Sequence, residues 1–136
     1  RRYGALVSGV KDSSGDFDTF LGFRRAAPDV ASLVGAEVLI PRALAEGGAG
    51  TICGMANVVP RLVRRLFSDP SAVADMEAAC AQANGIPALK AVQAALTGNP
   101  AWRAVRPPLR PGDVAAAEQG AHILRRLEAG ATAKAA

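Results

Sequence analysis

Short apolar runs alternate with helix-spaced apolar positions along the first half of the chain, and the alternation predicts three strand–helix units. Residues 5–11 are mostly small or β-branched and lead into Asp12, Ser13, Ser14 and Gly15, which reads as a buried strand followed by a tight polar loop. Asp16 is placed to cap the next helix, where Phe17, Phe20, Leu21 and Ala27 recur at helical spacing. Arg24 and Arg25 favour the carbonyl end of that helix, and Pro28 stops it. A second apolar run at 30–34 is followed by a loop of Gly35, Ala36 and Glu37 and a helix over 38–46, with Pro41 in its first turn and Gly47 and Gly48 at its end. The third unit opens with 51–56 and enters a helix at Pro60 in which Leu62, Val63, Leu66 and Phe67 share a face. Such alternation implies parallel strands joined by helical crossovers, and three strands alone leave open edges that neighbouring strands would cover.

From residue 70 the pattern changes. Stretches 71–84, 86–97 and 113–129 are alanine-rich and helical in character, each bounded by Gly, Pro or Asn. Pro107, Pro108 and Pro111 predict an extended path between the last two. The expected organisation is therefore strand–helix units over 1–69, a helical region over 70–130 and a frayed tail over 131–136.

Composition narrows the function classes. Half of the 136 residues are hydrophobic and 21% are charged, enough to bury a core. The net charge of +4 invites a nucleic-acid partner, but Arg24, Arg25, Arg61, Arg64, Arg65, Arg125 and Arg126 fall on separate helices among acids, with 4% aromatic residues and no stacking motif. Solvated helix faces, and no nucleic acid, are expected. No apolar run approaches the roughly 18 residues of a membrane span, so no membrane partner is expected. The start Arg1, Arg2, Tyr3 has neither an initiator Met nor a signal-peptide core and reads as truncated. Cys53 and Cys80 lack any C-x-x-C or Cys/His spacing, so they read as buried small hydrophobes, with no disulfide, no metal site and a reducing cytoplasm as the expected setting. The run from Gly48 to Gly54 looks like a dinucleotide loop, yet it follows a helix and opens a strand, the reverse of the order that motif needs. His122 reads as a packed or surface helical residue, and Trp102 as an anchor for the proline linker.

Lys11 is the strongest candidate for chemistry, because it ends an apolar strand and precedes a polar loop, where parallel α/β folds place functional groups. A buried ammonium is costly, which favours the neutral amine that attacks a carbonyl carbon. A strand-terminal lysine that reaches solvent or pairs with Asp12 or Asp16 is the structural alternative, and on spacing alone both stand.

The run Gly9-Val10-Lys11-Asp12-Ser13-Ser14-Gly15-Asp16 resembles the lysine signature of the dihydrodipicolinate synthase and N-acetylneuraminate lyase family. Gly35-Ala36-Glu37, the segment from Gly47 to Asn57, and Arg106-Pro107-Pro108-Leu109 resemble later segments of that family, in order and at suitable spacing. The resemblance implies a partial TIM (β/α)8 barrel: its sixth, seventh and eighth βα units followed by C-terminal helices. It implies that Lys11 forms a Schiff base with pyruvate or another 2-keto acid, for aldol addition to an aldehyde or the reverse cleavage, with no cofactor or metal. It also implies a homo-oligomer, often a tetramer, at full length. A 2-keto-3-deoxy sugar acid aldolase or dehydratase of the same family, or a non-catalytic binding member, is the alternative.

Further roles carry over position by position. Ile52 resembles the residue whose backbone carbonyl faces the keto acid, although it also reads as a plain buried strand residue. Ser13 resembles a substrate-hydroxyl contact, and together with Ser14 it also reads as a turn former. Gly35 and Glu37 occupy the loop that recognises the polar part of sugar-acid substrates, where an exposed loop glutamate is also commonplace. Val38 and Gly54 stand where the sialic-acid lyases have an acid and a serine, which disfavours a long polyhydroxylated substrate. The family's remaining site residues belong to its N-terminal part, so these 136 residues alone are expected to show little or no activity and to self-pair at their open edges.

Overall fold

The structure, a computed structural model, describes residues 6–133. They form two compact units that part between Cys53 and Gly54.

In the first unit, β1 (Gly9–Asp12), β2 (Ala31–Val34) and β3 (Gly50–Thr51) make one parallel sheet in that order, with α1 (Phe17–Ala26) and α2 (Ile40–Ala45) as the crossovers. Lys11 pairs in register with Leu33, Asp12 with Val34, and Val34 with Thr51. Successive strand side chains take opposite faces, and burial separates those faces here. Asp12, Ser32 and Val34 are buried, together with Phe20, Ile40 and Ala43 from the helices, whereas Gly9, Lys11 and Ala31 are exposed. One face of the sheet is thus covered and the other open.

The strands are shorter than the apolar runs suggest. β1 begins at Gly9, and Leu6 and Val7 ahead of it are 85% and 48% exposed rather than buried in a strand; Ala5 lies outside the described residues. Pairing sets the limit, because β2 offers partners only from Ala31 onward. β3 likewise stops at Thr51 because β2 ends at Val34, and Met55–Asn57 forms a 3-10 turn where strand was expected. Ile52 is therefore not a buried strand residue: it lies past the strand and is 55% exposed.

Helix boundaries follow the capping signals more closely. The Asp16 carboxylate accepts from the Asp18 and Thr19 N–H groups, so the predicted cap is present. The second helix opens with a 3-10 turn over Glu37–Leu39 before α2 proper, and Pro41 sits in the first turn of α2. Its end is sharp. Gly47 takes φ +77°, and a Cβ on Gly48 would lie 2.7 Å from the Ala43 carbonyl oxygen and 3.0 Å from Phe20 Cζ. Only glycine lets the chain turn this tightly over the buried ring.

The second unit is helical: α3 (Pro60–Arg65), α4 (Val73–Gln82), α5 (Gly85–Thr97) and α6 (Val114–Ala133). Leu62, Leu66, Met76, Val92 and Leu124 form its buried centre. Phe67 leaves the predicted apolar face and is 47% exposed, because α3 ends at Arg65 and helical spacing no longer applies. Arg65 is not the solvated residue expected; it is buried, and Asp69 and Asp75 neutralise it at 2.7 and 2.9 Å. The expected extended path through 105–111 contains a turn, in which the Leu109 N–H donates to the Arg106 carbonyl at 3.0 Å. Proline fixes φ and leaves ψ open, so the same residues serve either path. α6 continues through Ala133 and buries Ala131, where a frayed tail was expected; residues 134–136 lie outside the described residues. Cys53 and Cys80 are half-buried thiols, His122 is exposed and Trp102 is 45% exposed. Among the described residues no helix is long and apolar enough to cross a membrane.

Candidate active site

Lys11, Ser13, Gly35 and Ile52 all fall at or just past the carboxyl ends of three adjacent parallel strands. Asp12, Val34 and Thr51 lie side by side in register, so the residues that follow them, Ser13, Gly35 and Ile52, leave the sheet along one edge. Loops at this edge carry the functional groups of parallel α/β folds, because each strand delivers its next residues there.

Lys11 stands on the open face of the sheet and is exposed, so of the two expectations the solvent-reaching lysine holds and the buried amine does not. The cause is alternation: Asp12 takes the covered side, so Lys11 takes the other. Pairing with a neighbouring acid does not explain it either. The Asp12 carboxylate accepts from the Ser14 N–H at 2.9 Å and the Ser14 hydroxyl at 3.0 Å. The Asp16 carboxylate is occupied with the start of α1, where the Thr19 hydroxyl donates at 2.8 Å. That hydroxyl, followed by the Asp18 N–H, holds Asp16 below the usual carboxylate range. Among the described residues neither acid forms an ion pair with Lys11.

Gly35 lies beside the Lys11 stem. Its N–H donates to the Asp12 carbonyl at 2.7 Å. A Cβ added to it would lie 2.6 Å from that oxygen, 3.1 Å from Lys11 Cε and 3.3 Å from Ser13 Cα. The structure therefore gathers Lys11, Ser13 and Gly35 at the junction of β1 and β2. Ser13 is exposed, and the turn contacts come from its neighbour Ser14. Ile52 is one strand further away, and its N–H donates to the Val34 carbonyl at 3.3 Å. Glu37 opens the 3-10 turn before α2 and is half-buried.

Two residues at this edge take roles not expected from the sequence. Thr51 donates its hydroxyl to the Val34 carbonyl at 2.7 Å, doubling the tie between β2 and β3 next to Ile52. A threonine ending a short strand carries no signal that distinguishes this role from ordinary strand preference. Asp12 is 5% exposed and anchors the loop after Lys11 through Ser14; the Asp-x-Ser spacing is the signal that could have identified it. Among the described residues there is no group of three or more His, Cys, Asp and Glu that could hold a metal ion.

Residues 5–126 match the model of the Dihydrodipicolinate synthetase family. An uncharacterized DapA-like lyase of Chloroflexus aurantiacus is 33% identical over 84 residues, covering 62% of this chain and 28% of that protein. A 4-hydroxy-tetrahydrodipicolinate synthase of Wolbachia pipientis subsp. Culex pipiens is 39% identical over 54 residues, covering 40% of this chain and 18% of that protein. The crystal structure of dihydrodipicolinate synthase from Agrobacterium tumefaciens superposes with a TM-score of 0.74 at 30% identity, covering 93% of this chain and 45% of that one. A Sulfolobus solfataricus 2-keto-3-deoxygluconate aldolase, at 17% identity and a TM-score of 0.71, shares the fold over 90% of this chain and 46% of its own. The chain spans less than half the length of each of these relatives.

Proposed function

We propose, from the premise that this chain belongs to the Dihydrodipicolinate synthetase family, that it is part of a lyase or synthase in which Lys11 bonds covalently to a 2-keto acid. The observation that carries this reading is the position of Lys11. It stands at the carboxyl end of a parallel strand, on the exposed face of the sheet, beside the glycine that follows the neighbouring strand. In a closed (β/α)8 barrel the helices cover the outer face and the inner face lines the centre. The three strands are read as the part of such a barrel that carries the lysine, with Lys11 facing inward.

In the proposed reaction the Lys11 amine bonds to the keto carbon of pyruvate, and the carbonyl oxygen leaves as water to give an imine. The protonated imine draws electrons from the adjacent C–H bond; loss of that proton gives an enamine, whose carbon adds to an aldehyde. Water then releases the product and restores the amine. The reverse sequence cleaves a carbon–carbon bond. Ser13, Gly35, Glu37 and the Ile52 carbonyl are assigned to substrate contact, since all lie on the loops after the same three strands. A shorter 2-keto-3-deoxy acid is the second substrate reading, since Val38 and Gly54 carry no polar side chain of the kind a long polyhydroxylated chain calls for.

The test is substitution of the lysine in the complete parent polypeptide. Lys11→Arg keeps the charge and removes the nucleophile, so aldol turnover should fall by about a thousandfold or more with the fold retained. Turnover within a fewfold of the parent would refute the assignment.

A further inference from the structure

We propose that Gly35 is a positioning residue for Lys11: by carrying no Cβ, it lets the lysine stem lie against the end of β2 and so fixes where the amine can reach. That this amine then bonds a keto acid rests on the function proposed above. The contact itself does not.

Conformation does not demand a glycine here. Gly15, Gly47, Gly50, Gly85 and Gly98 have positive φ, and Gly35 is not among them, so its backbone is open to any residue. Space is what excludes a side chain. A Cβ would meet the Asp12 carbonyl oxygen at 2.6 Å and Lys11 Cε at 3.1 Å. The strands cannot simply part to admit it, because the Gly35 N–H donates to that same carbonyl at 2.7 Å. Relief of the closer contact has to come from bending the end of β1, and relief of the second from moving the lysine stem.

The consequence follows from the flexibility of lysine. Its four-carbon stem samples many rotamers unless a neighbour restricts it. Among the described residues no carboxylate holds the Lys11 amine. Gly35, just past β2, is one neighbour of the stem, with Lys11 Cε 3.1 Å from where a Gly35 Cβ would stand. A glycine that only contacts substrate through its backbone would leave Lys11 unaltered when no substrate is present. A positioning glycine alters it in the empty protein, and the two roles separate on that point.

The experiment compares Gly35→Ala with Gly9→Ala in the complete parent protein. A Cβ on Gly9 presses on the Ala31 carbonyl at 3.2 Å, crowding the same two strands without meeting Lys11. Acetic anhydride labelling of Lys11 relative to Lys90 is followed across pH with no keto acid present. Pyruvate trapping by borohydride is measured alongside. In Gly35→Ala the labelling ratio should change by about threefold or more, and trapping at saturating pyruvate should slow by roughly tenfold with little change in KM. Gly9→Ala should leave both as in the parent. An unchanged ratio in a folded Gly35→Ala protein overturns the proposal. A changed ratio, in a parent that traps no pyruvate, upholds the positioning contact and removes the imine reading. Should Gly35→Ala not fold, NMR relaxation of the Lys11 Cε methylene in the parent decides: a stem more restricted than that of Lys90 supports the contact, and one as mobile as Lys90 overturns it.

Discussion

Asp69 closes on Arg65 through a single carboxylate oxygen, Oδ2, which lies 2.7 Å from Nη2 and 2.8 Å from Nε of the guanidinium. The other oxygen accepts from the Ser71 hydroxyl at 2.6 Å and the Ser71 N–H at 2.9 Å. The Ser71 hydroxyl, then Arg65, hold the Asp69 carboxyl down to about 2. Hydrogen bonding to Asp69, and secondarily to Asp75, raises Arg65 in turn. A depressed acid contributes stability that is complete above its unfolded value, near 3.9, and is lost as pH falls through that value toward the folded one. Asp16 is shifted in the same direction. The urea midpoint should therefore fall as pH is lowered from about 5 to about 2, and Asp69→Asn should flatten part of that fall. An Asp69→Asn protein with an unaltered acid profile would contradict the assignment.

Glu128 of α6 caps α3, accepting from the Arg61 N–H at 2.9 Å and the Leu62 N–H at 3.0 Å. Helix starts leave such donors without intrahelical partners. Glu128→Ala should cost about 1 kcal/mol, the usual loss for a removed cap. Glu128→Gln keeps one acceptor oxygen and should cost less. Urea unfolding at neutral pH measures both, and equal midpoints for the two variants would exclude capping as the cause.

Ser32 is 1% exposed, and its hydroxyl has no hydrogen-bond partner among the described residues. A buried donor left unsatisfied costs about 1–3 kcal/mol. Ser32→Ala should therefore raise the urea midpoint, by an amount worth about 1 kcal/mol, without changing the slope of the transition. A lowered midpoint would mean that the hydroxyl makes a contact that matters.

The parallel strands, their crossovers and the Asp16 cap were legible in the sequence because they depend on local signals. Asp16 shows this well, since both of the N–H groups it accepts from lie within three residues of it. Strand lengths were not legible. β1 and β3 end where β2 stops pairing with them, and that depends on residues about twenty positions away. Whether Lys11 is buried or reaches solvent stayed open in the sequence for a related reason: an apolar run does not reveal which face each residue takes until the covered face is known, and Asp12 holds that face. Arg65 was misread because its partners, Asp69 and Asp75, lie beyond the end of its helix. The placement of Lys11, Ser13 and Gly35 at or just past strand ends was legible in the sequence. The contact between Lys11 and Gly35 was not, since it depends on the register of two strands.

The most direct test of the proposed chemistry is to incubate the complete parent protein with pyruvate and sodium borohydride and to map the modified peptide. A reduced imine should leave a carboxyethyl group on the Lys11 side-chain nitrogen, with Lys90 unmodified. A complete peptide map with Lys11 unmodified, or with the adduct on another lysine, would contradict the account.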